Sequence, residues 1–259
     1  MASNFHLYLN QMGIQLWKLR HPQLTKAPSA DNHCNLQISQ PPLNPASNLE
    51  LIAPDLEPVT DHANTPVERL DWADLATRVQ GCTACELHTK RKQAVFGVGN
   101  RSAQWLIVGE APGADEDRLG EPFVGRSGQL LDRMLFALGL SRDQVFIANI
   151  VKCRPPQNRD PLPEEASSCR PFLARQIALI KPQILLAVGR IAAQNLLQTD
   201  LAVGRLRGRV HRFGAADIPL VVTYHPAYLL RSPREKRKTW DDLQLARRSL
   251  LAATSTNPT

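Results

Sequence analysis

The sequence predicts an α/β fold: a three-layer αβα domain around a central four-stranded parallel sheet, preceded by a largely disordered amino-terminal extension. Three observations carry this. Four short runs are apolar almost throughout, helical patterns separate them, and neither signal persists before residue 67. Strands covered on both faces lose the in–out alternation of a half-exposed sheet. Parallel neighbours also need a crossover between them, usually a helix.

The extension has two parts. In "NFHLYLNQMGIQLWKLRHP" (4–22), Phe5, Leu9, Met12, Leu16 and Leu19 fall at helical spacing, although Gly13 weakens a continuous helix. Residues 23–66 are rich in proline, asparagine and serine and contain no aromatic residue. Such a segment buries too little surface to offset its ordering entropy. The expected organisation is a docking peptide over 1–22, a disordered linker over 23–66 and a globular domain over 67–254.

Within the domain, "VERLDWADLATRVQ" (67–80) reads as one amphipathic helix ending at Gly81. The strands are "WLIVGE" (105–110), "VFIANI" (145–150), "ILLAVG" (184–189) and "LVVTYHP" (220–226). Helical patterns fill 127–139, 163–180, 191–197 and 238–253.

Charge is unevenly distributed. The whole chain carries +7, but residues 1–66 hold three Lys/Arg against five Asp/Glu, so 67–259 carry the excess of base. A basic domain with a near-neutral tail points to a polyanion partner, of which nucleic acid is the commonest. No run is long and apolar enough for a secretory signal or a membrane span, so the expectation is a cytoplasmic protein. Thiols stay reduced there, and paired cysteines mark metal or redox chemistry more often than disulfides.

The strand ends are unusual for plain turns. The first runs into "GEAPGADED", the second into "NIVKCRPPQN", the third into "VGR" and the fourth into "HPAYLLR". In parallel sheets ligands bind beyond the carboxyl ends of the strands. Glu110, Asn149, Gly189 and His225 are therefore expected around one pocket. The cysteines form a second constellation, with Cys82 and Cys85 in a C-x2-C pair and Cys153 and Cys169 further on. Four thiolates close a tetrahedral zinc site or hold an iron–sulfur cluster, and spacing does not choose between them. Cys34, in the linker, reads as a bystander.

Residues 75–253 resemble the family 4, iron–sulfur uracil-DNA glycosylases. "CTAC", "GEAPGADED", "PFVGRSGQLLD", "NIVKCRPPQNRDP", Cys169, "VGR" and "HPAYLLR" carry the match in family order. The resemblance implies a monofunctional, monomeric enzyme that flips uracil out of single- or double-stranded DNA and leaves an abasic site. It also implies a structural 4Fe–4S cluster on Cys82, Cys85, Cys153 and Cys169. Phe123 would stack on the base, with Ala111 beside it. Asn149 would read N3–H and O4, and His225 would face O2. Glu110 or Glu116 would assist the water or the oxocarbenium-like sugar, and the sequence leaves that choice open. Leu229 and Leu230 would enter the gap left by the base, with Arg231 on a phosphate. Ala227 stands where the family often has serine. The loop after the second strand lacks the histidine with which a related branch traps DNA covalently. "RLRGRVHR" (205–212) and "RSPREKRK" (231–238) fit a phosphate-gripping face.

Residues 5–22 resemble the start of the psi subunit of the bacterial DNA polymerase III clamp loader, through Gln11, Gly13, Ile14, Trp17, Leu19, Arg20 and Pro22. That likeness implies docking on the clamp-loader collar. Two competing readings remain at this point. One is a non-catalytic replication accessory that binds DNA or the clamp loader, and the other is a zinc-containing nucleotide hydrolase.

Overall fold

The computed structural model describes residues 65–255. The expected docking peptide with Ile14, Trp17 and Leu19, most of the expected linker, and Cys34 lie outside the described residues. None of the described helices is long and apolar enough to cross a membrane.

The chain runs through α1 (Trp72–Gln80), β1 (Val98–Gly99), β2 (Trp105–Gly109), α2 (Ala114–Leu119), α3 (Arg126–Ala137) and β3 (Phe146–Asn149). It continues through α4 (Pro163–Ile180), β4 (Ile184–Val188), α5 (Arg190–Leu197), α6 (Val203–Leu206), β5 (Val210–Phe213), β6 (Ile218–Thr223), α7 (Pro226–Arg231) and α8 (Lys236–Ser255). The sheet is six-stranded in the order β1-β3-β2-β4-β6-β5. Its four central strands are the predicted parallel ones. The expected four-stranded sheet is thus extended by two antiparallel edge strands, β1 and β5. β1 has only two residues, and β5 is half-exposed and polar, so neither shows the apolar run that marks a buried strand.

Alternate side chains of the central strands feed two cores. Leu106, Val108, Ala148, Leu185, Ala187, Leu220 and Val222 face one layer, with α1, α4 and α5. Ile107, Ile147, Leu186, Val188 and Val221 face the other, with α3, α7 and α8. Each fully buried aliphatic side chain contributes about 1.5–3 kcal/mol, which is why the apolar runs are continuous.

One helix differs from expectation. Residues 67–80 are a short 3-10 turn (Val67–Arg69) followed by a separate α1. Asp71 breaks the pattern: its carboxylate caps α1 by accepting from the Asp74 N–H at 2.9 Å.

Candidate active site

The central strands end level with one another. Gly109 pairs with Asn149, and Val188 with Thr223, so the residues that follow share one rim. There Glu110, Ala111, Glu116, Phe123, Asn149, Gly189, His225 and Arg231 line one open cleft of about 770 Å³.

Three side chains converge at the floor. The Phe123 and His225 rings lie 5.6 Å apart, centre to centre, inclined by 31°. Gly109 lies against Asn149 and Phe123: a Cβ there would sit 2.4 Å from Asn149 Oδ1 and 2.6 Å from the Phe123 ring. Any larger residue would drive the carboxamide and the ring apart. Asn149 is buried, and its Oδ1 has no hydrogen-bond partner among the described residues. A buried acceptor left unsatisfied costs about 1–3 kcal/mol, so this atom is held ready for an N–H that the protein does not supply.

His225 is fixed by its own helix. Its Nδ1 accepts from the Ala227 N–H at 3.1 Å, capping α7. In the neutral ring the proton therefore sits on Nε2, which becomes a donor. Burial, with Arg231 nearby, pulls the imidazole down to about 4 and keeps it neutral at ordinary pH. The backbone N–H at Ala227 makes this contact whatever its side chain.

The two glutamates part company. Glu116 is buried and fully engaged: Oε2 accepts from the Gly113 N–H at 3.0 Å, and Oε1 from those of Val124 and Gly125 at 3.0 and 3.1 Å. It braces the loop that carries Phe123. Glu110 faces Asp160, which is itself ion-paired to Arg190. Burial, then the Asp160 carboxylate, raise Glu110 to about 7 against the pull of Arg190. Asp160 and Arg190 are cleft residues that the sequence reading passed over. "NRDP" and "VGR" contain them, but nothing in the spacing shows that they pair across 30 positions.

α7 corrects one expectation. Leu229 has no exposed surface and belongs to the core beneath the sheet, so it cannot enter DNA without unpacking α7. Leu230, one position on, turns outward at 38% exposure, beside exposed Arg231. Tyr224 and Tyr228, also missed from the sequence, add an aromatic pair to the cleft wall with ring centres 5.1 Å apart. The basic stretches are less uniform than they read. Arg207 is held by the buried Asp242 at 2.9 Å and Arg212 by Asp217, whereas Arg205, Arg209, Arg234 and Arg237 are exposed.

Cys82, Cys85, Cys153 and Cys169 line a second, small hollow. The first two lie just past α1, the third follows β3, and the fourth is on α4. Donors already point at the sulfurs: Arg91 Nη1 lies 2.9 Å from Cys153 Sγ, and the Lys152 N–H lies 3.2 Å from Cys169 Sγ. Such donors suit anionic thiolates. Among the described residues no three His, Cys, Asp or Glu side chains are grouped to hold a single metal ion.

The sequence pattern of the uracil DNA glycosylase superfamily matches residues 96–244. The chain is 42% identical to a type-4 uracil-DNA glycosylase of Archaeoglobus fulgidus over 185 residues, 69% of this chain and 92% of that relative. It is 40% identical to a type-4 enzyme of Thermotoga maritima over 177 residues, covering 67% of this chain and 91% of the other. A type-5 uracil-DNA glycosylase of Pyrobaculum aerophilum matches less of it, at 33% identity over 51% of this chain and 64% of that relative. With matches of this extent over the segment that builds the cleft, the chain belongs to the uracil DNA glycosylase superfamily and, within it, to the type-4 family.

Proposed function

We propose that this protein excises uracil from DNA by hydrolysing the N-glycosidic bond, leaving an abasic site. The carrying observation is the unsatisfied Asn149 Oδ1, buried next to the Phe123 ring, which in turn lies against the His225 ring. Uracil offers N3–H to that oxygen and O4 to the amide N–H₂. Cytosine offers an acceptor at N3 and a donor at the exocyclic amine, so both contacts turn repulsive. Fully stacked duplex DNA does not expose that edge in a pocket, so the base must flip out.

The rest of the cleft serves the bond cleavage. Water adds to C1′ as the C1′–N1 bond breaks, and the bonding pair leaves with the base. The neutral Nε2–H of His225 donates to O2 and stabilises the departing anion. Glu110, as carboxylate, balances the cationic sugar, orients the water and takes the proton that the water gives up. Glu116 is already occupied by backbone N–H groups. Leu230 and Arg231 are the exposed α7 residues best placed to meet the gap and a phosphate. The reaction uses no lysine, which fits a monofunctional enzyme. One cleft in one chain fits a monomer, and the cytoplasm is the compartment where we place it.

The test is incubation with single- and double-stranded oligonucleotides containing one uracil, followed by alkali. Strand scission at the uracil is expected, and intact strands throughout would remove the reading in favour of a DNA-binding accessory. Glu110 adds a pH signature. It is protonated below about 7 and ionised above it, so excision should rise through neutrality with an apparent pKa near that value. His225 stays neutral over the same span. Glu110→Gln should be slow and should lack the rise; an unchanged profile would assign the titration elsewhere.

The four thiols fit a 4Fe–4S cluster. They line one hollow, with donors from Arg91 and the Lys152 backbone already at two of the sulfurs. When bound, the cluster would tie α1, the β3 loop and α4 together beside the reading Asn149. The amino-terminal peptide we assign to docking on the clamp loader, through Ile14, Trp17 and Leu19, with the linker raising local enzyme concentration at new DNA. Trp17→Ala is expected to weaken retention on immobilised clamp loader more than about tenfold; equal retention would dispose of the assignment.

A further inference from the structure

We propose that Arg142 is a positioning residue for the uracil-stacking ring. Its guanidinium lies outside the cleft and fixes the backbone of Phe123 in the conformation that turns the ring over the base. This rests on reading the cleft as a uracil site.

Phe123 has φ 55°, in the left-handed region. A residue with a Cβ is strained there, and the conformation persists only where the surroundings over-determine it. Two opposite charges do so. On one side, Glu116 accepts from the N–H groups of Val124 and Gly125, which follow the ring. On the other, Arg142 Nη1 donates to the Phe123 carbonyl at 3.1 Å, and Nη2 donates to that of Pro122. A carboxylate thus takes the donors after Phe123 and a guanidinium takes the acceptors at and before it. The peptide units on either side cannot rotate without losing a charge-assisted hydrogen bond.

The guanidinium is itself oriented. Asp132, on α3, accepts from Nη1 at 2.9 Å. α3 also reaches the loop directly, because a Cβ at Gly128 would lie 1.8 Å from the Phe123 oxygen. Arg142 is not among the residues lining the cleft. Its route to the substrate is through the backbone of Phe123. The fork geometry matters: two carbonyls on successive residues match the planar donors of arginine, whereas lysine offers a single point of charge.

The test is a double-mutant cycle. Arg142→Met and Arg142→Lys are made in the wild-type and in a Phe123→Ala background. Single-turnover excision from a single-stranded uracil oligonucleotide and inhibition by free uracil are then measured. Arg142→Met should slow excision about 100-fold and weaken uracil inhibition, and Arg142→Lys should recover part of both. In the Phe123→Ala background Arg142→Met should change the rate less than about twofold, because the ring it places is gone. Equal losses in both backgrounds, or unchanged uracil inhibition, would overturn the assignment. Should Arg142→Met not fold, Asp132→Asn, which loosens the fork without deleting it, must show the same dependence on Phe123; independence would overturn it equally. Failure of the wild-type to cut uracil would instead overturn the glycosylase reading.

Discussion

Asn149→Ala is expected to slow uracil excision about a thousandfold, the upper range for losing one preorganised hydrogen-bonding group. The substitution removes both contacts to the uracil edge at once. It also leaves a void where the native acceptor waits without a partner. The loss should fall on the excision step and not on general DNA affinity, because Asn149 is only 2% exposed and lies below the surface that meets phosphates. Single-turnover excision and binding to uracil-free DNA, measured side by side, separate the two. An undiminished excision rate would mean that the pyrimidine edge is read elsewhere, and the central geometric claim would fall with it.

Cys153→Ala is expected to lose bound iron and the soluble fold together. Cys153 is buried, lies four residues beyond Asn149, and shares its hollow with cysteines from two other parts of the chain. Metal-coupled folding contributes on the order of 10 kcal/mol in small domains. A domain's entire stability is about 5–15 kcal/mol, so losing one ligand competes with the whole. Removal also takes away the sulfur to which Arg91 Nη1 donates, leaving that guanidinium its bond to the Gln80 carbonyl. Iron content and the yield of soluble, monodisperse protein are the readouts. A stable, iron-free and fully active variant would contradict the role given to the four thiols.

Much of the architecture was legible before any coordinates. The four parallel strands read clearly because both their faces are buried, and α4 was bounded to the residue because Pro163 opens it and the apolar period stops at Ile180. The two edge strands were not legible, since β5 alternates exposed and half-buried residues inside a basic stretch. The break at Asp71 was hidden by a helical period that continues across it. Leu229 and Leu230 are adjacent and chemically identical, so only the rotation of α7 tells which one is core and which one faces out. The glutamates posed the same difficulty. Glu116 and Glu110 sit in one motif, and they differ in whether backbone N–H groups from residues 124 and 125 reach them.

The sequence by itself determined the layered α/β class, the edge of the sheet where the site lies, and the carboxamide and imidazole that stand there. These follow from local apolar periodicity and from which residues end each strand, whereas the ring of Phe123, in a loop between two helices, was reached only through the family resemblance. Tertiary structure alone decided which carboxylate stays available, that Asp160 and Arg190 stand behind it, and that Arg142 holds the loop bearing Phe123. Those outcomes depend on hydrogen bonds and ion pairs between residues far apart along the chain. No local pattern encodes such partners, because each is settled only when the sheet and its helices have packed.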